Sequence, residues 1–100
     1  MKINIKATNA KLTAESHEVI NDKISSLSKY FGNIIHAHIE VGINSLHHNK
    51  GNIYKVVGSL SVPKKILTAS SETDNITKSI NEVRSKLKAK LIKYKGTHKE

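Results

Sequence analysis

The segment KLKAKLIKYK, residues 86–95, holds five lysines in ten positions and no acidic residue, and Arg84 extends the run. Clustered ammonium groups repel one another unless a polyanion neutralises them. The run is therefore either a phosphate-binding surface or a solvated helix face. Charge is spread unevenly: residues 78–100 carry eight basic side chains against two acidic ones, and residues 1–77 carry nine against six. A helix that only needs to stay soluble intersperses acids one turn from its lysines, and residues 83–99 contain none. The arrangement favours a polyanion partner. Sixteen lysines to one arginine, with thirteen isoleucines and nine asparagines, also match A·T-rich coding, so arrangement weighs more than the total of +9.

Other chemistries find less support. His36 and His38 alternate as strand neighbours do, and His47-His48 sit in a polar stretch, both spacings that can ligate a metal. The first pair falls on the sheet face opposite the expected core, where polar residues are ordinary, and no metal or other cofactor is expected. The chain has no cysteine, so thiolate chemistry and disulfides are excluded. No histidine is visibly paired with a serine and a carboxylate, and the five glycines form no phosphate-cradling loop. No enzyme is expected. Tyr54 and Tyr94 fall on apolar stripes and read as core; Tyr30 is open to stacking on a base.

The elements that position the lysines follow from periodicity. Ile3, Ile5 and Ala7 alternate with polar residues as a half-buried strand does. Thr13 can cap a helix whose stripe is Ile20, Ile24, Leu27 and Phe31, with Gly32-Asn33 as a left-handed end. Ile35, Ala37, Ile39, Val41 and Ile43 form a second strand, and NSLHHNKGN (44–52) a polar turn. Tyr54, Val56, Gly58, Leu60 and Val62 form a third strand. Pro63-Lys64-Lys65 turns the chain into a short fourth strand at Leu67, Ala69 and Ser71. Asn75 can cap a last helix with the stripe Ile76, Ile80, Val83, Leu87, Leu91 and Tyr94. The order β-α-β-β-β-α, with one apolar stripe per helix, predicts an α+β fold: a four-stranded sheet with both helices on one face. On the last helix Arg84, Lys88 and Lys95 line one flank of the stripe and Lys86 and Lys93 the other. Lys90 falls almost inside the apolar arc, so it either passes the sheet edge or snorkels.

One hundred residues make one domain, which buries roughly 65% of its unfolded surface. The start lacks the apolar block of a signal peptide, and no run approaches the roughly 18 apolar residues of a membrane span. A soluble, cytoplasmic protein is expected, with no membrane partner. Residues 1–95 form the expected binding domain, and 96–100 a short basic tail.

The stretch NDKISSLSKYFGNIIHAHIEV resembles the first helix and second strand of the ribosome hibernation promoting factors and ribosome-associated inhibitor proteins. A lysine, a leucine four later and an aromatic pair before a turn recur there, matched by Lys23, Leu27, Tyr30 and Phe31. The stretch LTASSETDNITKSINEVRSKLKAKLIKYK resembles the family's last strand and helix. Leu67, Ala69 and Glu72 match the strand end, Ile76 and Ile80 the helix start, and Lys86, Leu87, Leu91, Lys93 and Lys95 its basic end. The likeness covers nearly the whole chain in collinear order. It departs at Asn75 for a usual aspartate, Thr77 for a usual aromatic and Ala89 for a frequent basic residue.

The resemblance implies binding to the small ribosomal subunit, its rRNA and neighbouring proteins, in the channel of messenger and transfer RNA. It also implies silencing of translation and protection of idle ribosomes in stress or stationary phase. Short relatives differ: some promote ribosome pairing with a small ribosome-modulating partner and others oppose it. The short end after Glu100 leans toward the promoting kind, monomeric off the ribosome. Lysines on a helix meet phosphates as point charges with little base readout. Lys23, Arg84, Lys86, Lys90, Lys93 and Lys95 are the expected rRNA-binding residues. The alternative reading is a free-standing double-stranded-RNA-binding module, since sheet-plus-two-helix domains also take that role.

Overall fold

The structure, a computed structural model, describes residues 2–8, 12–44 and 53–97. Strand β1 (Lys2–Thr8) leads to helix α1 (Ala14–Ser25), which tightens into a 3₁₀ turn (Ser26–Lys29). Strands β2 (His36–Asn44), β3 (Ile53–Val62) and β4 (Lys65–Thr73) follow, and helix α2 (Ile76–Thr97) ends the described chain. The sheet runs β1-β2-β3-β4, and β1 pairs with β2 in parallel while the other two pairs are antiparallel. Parallel neighbours need a crossover between them, which is what α1 supplies.

The core lies on one face of the sheet. Ala37, Ile39 and Val41 of β2, Val56, Leu60 and Val62 of β3, and Leu67 and Ala69 of β4 are buried against it. Ile20 and Ile24 of α1 and Ile80, Val83, Leu87, Leu91 and Tyr94 of α2 close it from above. The expected α+β architecture, with two helices on one face of four strands, is the one observed. Gly58 lets α2 come down onto the sheet: a Cβ there would stand 2.7 Å from Val83 Cγ1 and 3.1 Å from Leu87 Cδ1. Tyr94 locks the far end of α2, packing edge-on to Phe31 at 5.3 Å and donating its hydroxyl to Pro63 O.

Both helix starts form as predicted. Thr13 Oγ1 accepts from Ser16 N at 3.1 Å, and Asn75 Oδ1 from Lys78 N at 3.1 Å. The end of the first helix differs from expectation. α1 gives way to the 3₁₀ turn at Ser26, and that turn is capped at Tyr30 with right-handed backbone, so the helical run ends before Gly32-Asn33. The hydroxyls of Ser25, Ser26 and Ser28 donate to carbonyls three residues back, which draws the last turn into 3₁₀ form.

Three sheet positions also differ. Ile35 precedes β2 and is 56% exposed, while Ile34 takes the core position. Ala7 is exposed near the end of β1, an edge strand of the sheet. The fourth strand is longer than expected, since it pairs with β3 from Tyr54↔Thr73 to Val62↔Lys65. The two-residue connection, Pro63-Lys64, holds Lys64 at φ 66°, as a type II turn requires after proline.

Candidate nucleic-acid interface

The lysines of α2 are placed by its core stripe. With Ile80, Val83, Leu87 and Leu91 facing the sheet, the helical repeat turns Arg84, Lys88 and Lys95 toward α1. The same repeat turns Lys86, Lys90 and Lys93 toward β4. The six predicted residues therefore do not converge on one point.

On the α1 side, Arg84 is half-buried and ties the two helices together. Its Nε donates to Lys23 O at 3.2 Å and to Ser26 Oγ at 2.8 Å. Lys23 is half-buried at the end of α1, beside this bridge. Next along the flank, Lys88 Nζ lies 4.7 Å from the centre of the Tyr30 ring, a cation–π contact. Hydrogen bonding from Lys88 and then Arg84, reinforced by their charges, holds the Tyr30 phenol below its ordinary range. Lys95 is exposed near the end of α2.

On the β4 side, Lys86 Nζ donates to Ser70 O at 2.7 Å, and Lys90 Nζ donates to Thr68 O. Of the two expectations for Lys90, snorkelling is what occurs: its stem crosses the apolar margin and its ammonium reaches the strand. Both bonds hold extended side chains in a row along an edge strand. Lys93 is exposed and lines, with Lys65 and Lys90, a surface hollow floored by Ile66, Leu67, Thr68 and Tyr94.

Sequence reasoning placed Lys88 on its flank but left it out of the binding set, and it left Tyr30 open. The signal for Lys88 was its position one turn after Arg84. Lys65 was read only as a turn residue, because nothing in its neighbourhood shows that β4 returns beside α2. The other large hollow, at the start of α2, is lined by Asp74, Asn75, Thr77, Lys78 and Glu82 among others. Its two carboxylates make it a poor anion site. His36 and His38 are exposed on the open sheet face, as expected, and among the described residues no group of three potential ligands gathers to hold a metal. His47 and His48 lie outside the described residues. No described helix is long and apolar enough to cross a membrane.

The family model of the sigma 54 modulation protein / S30EA ribosomal protein matches residues 3–99. The chain belongs to this family. The resemblance read from the sequence is thereby borne out over nearly its whole length. Among solved structures, a ribosomal subunit interface protein from Coxiella burnetii superposes with a TM-score of 0.84 at 23% identity, covering 96% of this chain and 99% of that one. The N-terminal domain of Thermus thermophilus Protein Y superposes at 0.81 with 13% identity, covering 94% and 99%. At these identities the two structures speak for the fold. No curated protein matches the chain.

Proposed function

We propose that the protein is a ribosome hibernation factor. It binds the small ribosomal subunit in the channel of messenger and transfer RNA near the decoding sites, inhibits translation and preserves idle ribosomes under stress. The observation that carries this reading is the match over residues 3–99 to a family described as a ribosomal protein, joined to a basic helix that carries no acid after Glu82 and is held rigidly on the fold. The Coxiella relative's description as a ribosomal subunit interface protein supports the same partner. Such a ligand acts in the cytoplasm, needs no cofactor and has no catalytic step.

The mechanism is occlusion. Lys23, Arg84, Lys86, Lys90, Lys93 and Lys95, with Lys88 added, neutralise rRNA phosphates, and the rigid sheet and helices occupy space that translating RNA needs. Specificity comes from shape, since lysines on a helix read backbones rather than bases. The test is sedimentation of the protein with small subunits at two salt concentrations, with transfer and messenger RNA as competitors. Displacement by both RNAs is expected, with a loss of roughly a thousandfold in affinity between 50 and 200 mM salt for five or six phosphate contacts. The same gradients show whether ribosomes pair. Unchanged binding after charge reversal of Lys86, Lys93 and Lys95 overturns the assignment of these residues. Equal affinity for a plain RNA duplex would point instead to a free-standing double-stranded-RNA-binding module.

A further inference from the structure

From Arg84 onward the basic residues of α2 form two rows, while Lys78, a turn and a half earlier, is exposed on the outer face. Arg84, Lys88 and Lys95 lie toward α1, where Arg84 reaches the end of that helix and Lys88 covers Tyr30. Lys86, Lys90 and Lys93 lie toward β4, where the first two bond strand carbonyls and the last two share a hollow with Lys65. Ser85, Ala89 and Ile92, exposed and uncharged, separate the rows. A helix with its side chains is about 10–12 Å across, so the rows stand on opposite sides of a solid object. A single phosphate backbone following one row leaves the other without phosphates.

We infer that α2 lies between two phosphate backbones of its RNA partner, one against each row. The partner class is folded RNA that brings two backbones to either side of a helix. Extended single strands do not qualify, and neither does the deep, narrow major groove of a regular RNA duplex, which does not admit a helix. The wide minor groove, or the gap between packed RNA helices, does. The inference rests on the RNA-binding reading above and adds the form of RNA and the way it is gripped.

The contacts also explain why the rows suit this task. Lys86 and Lys90 are extended along β4, and Arg84 and Lys88 are held by α1 and Tyr30. Holding these side chains in advance lowers the ordering cost of meeting phosphates on both sides at once.

The test compares the paired variants K88Q/K95Q, from the α1 row, and K90Q/K93Q, from the β4 row, with the combined variant. Lys55→Gln, on the opposite face of the sheet, serves as control. Circular dichroism melts confirm that each is folded. Affinities for isolated small ribosomal subunits and for poly(U) are then measured over a salt series. With small subunits, each pair should lower the slope of log affinity against log salt by about two, and the combined variant by about four. With poly(U), one backbone can use either row, so each pair alone should change the slope by less than about one. The control should match the wild type on both. Full subunit binding after loss of one pair overturns the inference, as does poly(U) responding to both pairs as strongly as subunits do. If the wild type does not bind small subunits, the hibernation reading fails, and the same slopes on a short RNA duplex decide the inference: it stands if both pairs are needed and falls if one suffices. Binding to no RNA overturns both.

Discussion

Lys88 of α2 and Tyr30, the residue that caps the 3₁₀ turn after α1, meet with the ammonium 4.7 Å from the ring centre. Together with Arg84, this contact favours the ionised phenol, so Tyr30 titrates below its ordinary value. In the unfolded chain the phenol returns to about 10. The linkage follows: ionised Tyr30 favours the folded state, fully so above the unfolded value, and this contribution is lost as pH falls through the folded value. Ultraviolet titration of the phenolate should find one tyrosine ionising early, and Tyr30→Phe should remove that step. Lys88→Gln should move it back up, whereas an unmoved step would mean that Lys88 does not act on Tyr30.

Arg84 combines a structural and a charge role, and two substitutions separate them. Arg84→Lys keeps the charge but loses the geometry in which Nε bonds Lys23 O and Ser26 Oγ together. It should cost about 1–2 kcal/mol of stability in urea denaturation while the salt slope of RNA binding holds. Arg84→Met should show the same destabilisation and also lower the slope by about one. Equal slopes in both variants would remove Arg84 from the interface.

Gly58 is the point where α2 bears directly on the sheet. A methyl group there meets Val83 at 2.7 Å, and Val83, branched at Cβ, has little freedom to turn away. Gly58→Ala should therefore destabilise by about 1–2 kcal/mol through overpacking, even after the gain in backbone entropy. The melting temperature should fall by about 4–8 °C per kcal/mol. Pairing it with Val83→Ala should restore part of the loss, which distinguishes a clash with Val83 from a general intolerance of β3.

Periodicity made the faces legible but not their neighbours. The stripe from Ile80 to Leu91, the alternation through β2 and β3 and both helix caps could be read because each depends on local spacing. The early end of α1 could not, because stripe counting ignores what Ser25, Ser26 and Ser28 do with their hydroxyls. Ile34 and Ile35 both suit a core position, and what separates them is where β2 begins: it starts at His36, so the alternation that buries Ala37 does not reach back to Ile35. The two lysine flanks of α2 were visible as angles on a helical wheel. That one flank meets Tyr30 and the other meets β4 is a tertiary fact, set by where the sheet brings distant segments. This is why Lys88, Tyr30 and Lys65 escaped the sequence-derived set.

The contacts of Lys86 and Lys90 with β4 carry a final prediction. β4 is an edge strand, and Ser70 O and Thr68 O are acceptors that another strand could use. Lysines placed over such an edge discourage pairing with a second chain, both by occupying the acceptors and by charge. Glutamine is too short to reach them from α2. The variant K86Q/K90Q should therefore self-associate, with a mass in light scattering that rises with protein concentration. The variant K93Q/K95Q removes the same charge from α2 and leaves both bonds to β4 in place. It should stay at the wild-type mass, which separates edge guarding from the general loss of repulsion. If both variants associate alike, charge alone keeps the chains apart, and the bonds to Ser70 and Thr68 serve only to orient the lysines.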